Sequence, residues 1–184
     1  MMFKDIGYEY IRNFVSPEIS NIITQYALYE DAISPKEGDS QVPNSHAKYS
    51  DSLMETLLEL FHNQVEEITN LTLYPTYSYY RVYRTGMELT PHKDRQSCEI
   101  SVSVCFNHSY STINGVWPLF MENAPVVMRP GDAVVYRGMD VDHSRPPLMI
   151  PDAWHVQGFF HYVDAFGPNR EWIFDKRPNL GYRI

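Results

Sequence analysis

The stretch CEISVSVCFN, residues 98–107, decides the fold. Ile100, Val102, Val104 and Phe106 fall on one side of an extended chain, and Glu99, Ser101 and Ser103 on the other. That period of two reads as a strand with one apolar and one polar face. Outward from it, YSYYRVYRT at 77–85 is aromatic and β-branched, shorter apolar runs follow at 118–121, 126–128 and 133–136, and a long run covers 154–163. Turn signals separate them at Asn114-Gly115, Pro130-Gly131-Asp132 and Pro146-Pro147.

Upstream the periodicity becomes helical. Ser16 is a suitable N-cap with Pro17 at the first helical position, and Ile19, Ile22, Ile23 and Tyr26 form a stripe. Residues 32–47, with Pro35, Gly38, Pro43 and Asn44, read as a loop that could line or cover a pocket. A second helix is expected from Ser52, capped by Ser52 and Glu55, with Leu53, Leu57, Leu60, Phe61, Val65 and Ile68 on one face. Helices followed by seven or eight short strands predict an α+β protein. Its core is expected to be a double-stranded β-helix, jelly-roll and cupin-like, with the N-terminal helices packed on one sheet. One domain is expected over 1–184, with 1–74 mostly helical support, 75–163 the barrel and 164–184 a C-terminal extension.

Of 184 residues, 15 are Lys or Arg and 23 Asp or Glu, a formal net charge of −8. Nearly all of the acidic excess precedes Pro75, and no basic stripe suggests a nucleic-acid partner. No run approaches the ~18 apolar residues of a membrane span. The start, MMFKDIGYEY, lacks the apolar centre of a signal peptide. Cys98 and Cys105, seven apart in the strand-like run, fall on opposite faces and cannot pair with each other. A reduced, cytoplasmic protein is the expectation.

His92-Lys93-Asp94 is the first chemical candidate. In an extended chain His92 and Asp94 share a side, and an imidazole with a carboxylate is two thirds of the facial triad of non-haem iron enzymes. Before it stand Tyr83, Gly86 and Pro91. After it come Pro130-Gly131-Asp132, an apolar strand, Gly138 and His143. This order, spanning about 79–162, resembles the 2-oxoglutarate- and Fe(II)-dependent dioxygenases, nearest to the prolyl-4-hydroxylase-like branch.

That resemblance implies His92, Asp94 and His143 as iron ligands and catalytic centre, with His108 and His155 as competitors for the distal place. His46 and His62 read as surface residues, and Asp140 and Asp142 as solvated loop acids. The implied cofactors are Fe(II), 2-oxoglutarate as cosubstrate and O2, with ascorbate as an accompanying reductant. The implied reaction is hydroxylation of an unactivated C–H bond in a peptide, amino acid or small metabolite, releasing succinate and CO2.

The chain departs from the family where a Lys or Arg is usual, nine or ten residues after the distal His. Asp152 and Ala153 stand there. Arg145 is the nearest cation and a surface ion pair with Asp142 or Asp152 its ordinary alternative. Arg81 is the second choice, Tyr83 matches the family's cosubstrate-binding tyrosine, and His155 and Gln157 offer hydrogen bonds. A cupin-like metal protein, an isomerase or small-ligand binder without oxygenase activity, is the competing reading.

Overall fold

A computed structural model of the chain describes residues 2–111 and 115–181. Its helices are α1 (Met2–Ile6), α2 (Pro17–Ile33) and α3 (Ser52–Thr69). Its strands are β1 (Tyr8–Ile11), β2 (His46–Tyr49), β3 (Leu73–Arg84), β4 (Leu89–His92), β5 (Ile100–His108), β6 (Leu119–Met121), β7 (Ala124–Val126), β8 (Ala133–Arg137), β9 (His143–Arg145) and β10 (Trp154–Asp164). They form two antiparallel sheets, ordered β1-β8-β5-β10-β3-β2 and β4-β9-β6-β7.

The alternation that decides the fold sorts the chemistry of the two faces. Ile100, Val102, Val104 and Phe106 of β5 join Tyr80, Val82, Val156 and Phe160 in the large core shared with α2 and α3. Their opposite neighbours turn toward the smaller sheet: Cys105, Val134 and Tyr136 pack with Leu119 and Met121. Ser101 and Ser103 also stand on this inner face, each buried. The polar half of the alternation thus lines the interior of the barrel rather than meeting solvent.

Ser16 caps α2 as expected, accepting from the Ile19 N–H at 3.4 Å. The buried face of α2 is Ser20, Ile23, Thr24, Ala27 and Asp31, while Ile22 is exposed. α3 is capped by Asp51, one residue before the expected Ser52, and its side chain accepts from Leu53 and Met54 N–H groups. Glu55 is therefore free of the capping box. It is buried and paired with Arg177 from the C-terminal segment, 2.6 Å away. Leu60 is exposed, and Met54 and Leu58 fill the core in its place.

Further expectations shift. The end of the anticipated loop, 46–47, belongs to strand β2, and His46 is buried with Nε2 3.0 Å from the Tyr80 hydroxyl rather than on the surface. His62 is half-buried, stacked on Tyr162 and 2.9 Å from the Leu73 carbonyl oxygen. Cys98 lies in a short 3-10 turn before β5, not in the strand, and both cysteines are buried and unpaired. Val127 and Met128 fall outside any strand, and Asn114 of the expected Asn-Gly turn lies outside the described residues. Among the described residues no helix is long and apolar enough to cross a membrane.

Pro130-Gly131-Asp132 does form the turn into β8. Gly131 has φ +90°, and a side chain there would meet the Val15 carbonyl oxygen at 2.8 Å. Asp132 is buried and ties the turn to the N-terminal segment, accepting from Arg129 N–H at 2.9 Å, Asn13 N–H at 3.0 Å and the Tyr10 hydroxyl. This anchoring sets where β8 starts and hence where Tyr136, Gly138 and His143 fall.

Candidate metal centre and its cavity

β4 and β9 pair antiparallel with His92 opposite His143, so two imidazoles emerge side by side from adjacent strands. Their ring centroids lie 4.2 Å apart. Asp94 stands just past the end of β4, where its N–H donates to the Gly138 carbonyl oxygen at 2.8 Å. Convergence with His92 thus depends on that bond and not on strand alternation alone. One donor atom from each of His92, Asp94 and His143 lies within 4.8 Å of the others. Asp94 Oδ1 is 3.7 Å from His92 Nε2 and 3.6 Å from His143 Nε2. Ligand bonds of about 2.1 Å at right angles would put neighbouring donors about 3 Å apart, so a small inward movement suffices for one ion.

The backbone fixes which ring nitrogen faces the centre. His92 Nδ1 is 2.9 Å from the Thr90 carbonyl oxygen and His143 Nδ1 is 3.1 Å from that of Val141. Each Nδ1–H donates to its carbonyl, leaving both Nε2 lone pairs toward Asp94. Burial lowers the His143 pKa, Asp94 opposes that by attraction, and the ring is held neutral as a ligand must be. Asp94 Oδ2 accepts from the Ser101 hydroxyl at 3.2 Å, which orients the carboxylate. Gly138 permits the close approach: an added Cβ would fall 2.6 Å from Asp94 Oδ2 and 2.8 Å from Ser101 Oγ. The donor set therefore fits one divalent ion on one face and leaves the opposite positions toward a cavity of about 120 Å³. Its walls include Tyr83, Leu89, Tyr136, Phe159 and His161, with Asp39 and Gln41 from the segment before β2.

Arg145 lies two residues after His143 on β9 and is 3% exposed, so the surface ion pair is excluded. Nη1 donates to the Trp117 carbonyl oxygen at 2.9 Å, Nη2 donates to Gln157 Oε1 at 3.1 Å, and the guanidinium sits 4.4 Å from the Trp117 ring centroid. Among the described residues no carboxylate lies within ion-pair distance of it. Burial pulls its pKa down, resisted by the Tyr83, Tyr110 and Cys105 side chains.

Gln157 is held for this contact. Its amide nitrogen donates to Ser103 Oγ at 2.8 Å, and its Oε1 also lies 2.5 Å from His155 Nε2. His155 Nδ1 in turn is 2.9 Å from the Tyr110 hydroxyl. Burial, aided by Arg145, holds the His155 ring neutral, so Nε2–H donates to Gln157 and Nδ1 accepts from Tyr110. His155 is therefore engaged in this network and is absent from the metal-donor cluster, as is His108, which stacks on Tyr110 at 4.0 Å. Asp140 and Asp142 also lie outside that cluster.

On β3 and β10 the inward rungs are Tyr83 opposite His155, Arg81 opposite Gln157, Tyr79 opposite Phe159 and Tyr77 opposite His161. Tyr83 is fully buried, its hydroxyl 3.5 Å from Arg81 Nη1.

Comparison with protein families returns no match, and none of the curated proteins resembles the chain in sequence. Solved structures do match. A Pseudomonas putida prolyl-4-hydroxylase superposes with a TM-score of 0.65 at 13% identity, over 87% of this chain and 95% of that one. The non-haem epimerase SnoN, solved with Fe3+, α-ketoglutarate and nogalamycin RO, gives 0.72 at 12% identity over 98% and 89%. HygX from Streptomyces hygroscopicus, with nickel, 2-oxoglutarate and hygromycin B, gives 0.68 at 12% over 90% and 86%. The fold is that of the 2-oxoglutarate- and Fe(II)-dependent oxygenases.

Within that oxygenase fold, several contributors carried no local sequence signal of their own. Asp39 and Gln41 reach the cavity from the irregular segment 34–45, which sequence marks only as a loop. Tyr136 places its hydroxyl 3.5 Å from His143 Nε2 and reads from sequence as ordinary core. His161 is hydrogen-bonded through Nδ1 to Ser101 Oγ at 2.9 Å, and with Asp94 and Cys98 it forms a second group of potential donors sharing Asp94. Ser101 and Ser103 were findable: serines opposite a wholly apolar strand face must line either solvent or a polar interior.

Proposed function

We propose that the protein is an Fe(II)- and 2-oxoglutarate-dependent oxygenase that oxidises a C–H bond of a small molecule or peptide and releases succinate and CO2. The observation that carries this reading is a buried arginine with no carboxylate partner among the described residues, two residues beyond a converged His/Asp/His set.

His92, Asp94 and His143 would hold Fe(II), with the two Nδ1–H bonds keeping both rings in the ligating tautomer. Bound iron and 2-oxoglutarate would supply the oxidising chemistry, oxidative decarboxylation of the cosubstrate coupled to two-electron oxidation of a C–H bond. Two neutral imidazoles and one carboxylate leave a divalent centre about +1, which favours a dianion beside it. Arg145 would take the far carboxylate of that dianion, since a buried carboxylate left unpaired costs several kcal/mol. Gln157 holds the guanidinium in place, and His155 with Ser103 fixes Gln157. Tyr83 adds a hydroxyl from the neighbouring strand. The buried rings of Tyr83 and Tyr136, with the half-buried ring of Phe159, limit water in the same cavity.

The test is succinate formation. Purified protein given Fe(II), 2-oxoglutarate, ascorbate and air should release succinate slowly without any other substrate, and Asp94→Ala should abolish it. Cosubstrate binding that is independent of Fe(II), with no succinate, would support the cupin-like binder instead.

A further inference from the structure

Arg81 is a second buried cation, directly behind the cavity wall: its partners Asp39, Tyr79 and Tyr83 line the cavity. It is 2% exposed in the middle of β3, with its guanidinium carbon 5.3 Å from the Tyr79 ring centroid and 5.5 Å from that of Tyr83. Nη2 donates to the Tyr79 hydroxyl at 3.2 Å and to the Asp39 carboxylate. Nε is buried and has no hydrogen-bond partner among the described residues.

Asp39 is the carboxylate that Arg81 meets among the described residues. It is carried on segment 34–45, whose internal pairing is one bridge between Gly38 and Pro43. Asp39 Oδ1 accepts from Gln41 N–H at 3.0 Å and Val42 N–H at 2.9 Å, and Oδ2 from the Tyr79 hydroxyl at 2.8 Å. Partial burial pushes this carboxyl up, but Arg81 and these donors outweigh it and hold the pKa below the ordinary value.

A cation fixed in a central region of β3 therefore meets an anion on an irregular segment that lines the same cavity as the metal ligands. A guanidinium between two ring faces, with one donor still free, is arranged for a planar carboxylate. We propose that Arg81, with Tyr79 and Tyr83, recognises a carboxylate on the molecule being oxidised, and that Asp39 is its internal stand-in, displaced when that molecule enters. The inference rests on the oxygenase reading and assigns the substrate to small organic acids. Such an acid would lay its carbon body against Phe159 and Leu89, between Arg81 and the metal ligands.

The probe is benzoate, with benzamide as the uncharged control, titrated calorimetrically into Fe(II)-loaded protein without air, with and without saturating 2-oxoglutarate. Benzoate should bind at least about tenfold tighter than benzamide. Asp39→Asn, which removes the competing charge, should tighten benzoate by about tenfold and leave benzamide unchanged. Arg81→Met should abolish the preference for the acid. Arg81→Lys should retain part of it and guards against a methionine variant that fails to fold. Equal binding of acid and amide, or a benzoate affinity unmoved by Asp39→Asn, would overturn the proposal. So would competition between benzoate and 2-oxoglutarate, which would give Arg81 to the cosubstrate. The oxygenase reading fails separately, if 2-oxoglutarate does not bind the Fe(II) protein while the acid–amide contrast persists.

Discussion

Arg145 donates from Nη2 to Oε1 of Gln157 across 3.1 Å, a bond between a buried cation and a neutral amide. The charge is oriented but meets no carboxylate within ion-pair distance among the described residues, and the strand that carries it also carries His143. Arg145→Ala should therefore weaken 2-oxoglutarate binding by roughly 2–4 kcal/mol while changing Fe(II) affinity little. Arg145→Lys should recover only part, because a point charge cannot reproduce the fork. Calorimetric titration of cosubstrate and metal into each variant reads both. Equal losses for metal and cosubstrate would mean that Arg145 supports the fold instead.

Gly138 offers a test of the metal set through a residue that ligates nothing. A methyl group there would crowd Asp94 Oδ2, Ser101 Oγ and, more closely still, the Cys98 carbonyl oxygen. Gly138→Ala should cost about 1–3 kcal/mol of stability through overpacking and lower Fe(II) affinity by turning Asp94. Thermal unfolding with and without Fe(II) checks this: the metal-induced rise in Tm should shrink in the variant. A full-sized rise would show that Asp94 does not depend on this approach.

Buried imidazoles should make the metal-free protein acid-sensitive. Burial lowers the His161 pKa to about 4 and pushes His155 well below its usual range, so both stay neutral in the fold. The unfolded chain takes up these protons near pH 6.5 and the folded chain does not. Stability is then complete above about pH 6.5 and falls as pH drops toward 4, by up to about 1.4 kcal/mol per pH unit for each ring. Urea unfolding at several pH values between 7.5 and 4.5 measures the slope, and His161→Asn should make it shallower. An unchanged slope in that variant would show that His161 is protonated in the fold.

The core strands were legible because one face of each is apolar: alternation at 98–107 found β5, and the aromatic run at 77–85 found most of β3. The edge strands β1 and β2 were not, although the short runs at 118–121 and 133–136 did mark β6 and β8. β1 and β2 contribute four residues each at the edges of the larger sheet, too few for a period to show, and they exist because longer strands beside them offer unpaired backbone. His92, Asp94 and His143 were readable as residue types at a spacing, whereas the Gly138 carbonyl that anchors Asp94 is a tertiary contact. Arg145 shows the same limit. Sequence marked it as the closest cation to His143, yet its burial follows from Trp117 and Gln157 closing on it from other elements. Asp39 had no local signal, since its meaning comes entirely from Arg81, forty-two residues away.

The most direct measurement is an anaerobic titration of the Fe(II)-loaded protein with 2-oxoglutarate, followed by visible absorption. A charge-transfer band that appears on addition, saturates at one equivalent and is lost in Asp94→Ala is the predicted result. No band at saturating cosubstrate, with no succinate released when air is admitted, would contradict the oxygenase account.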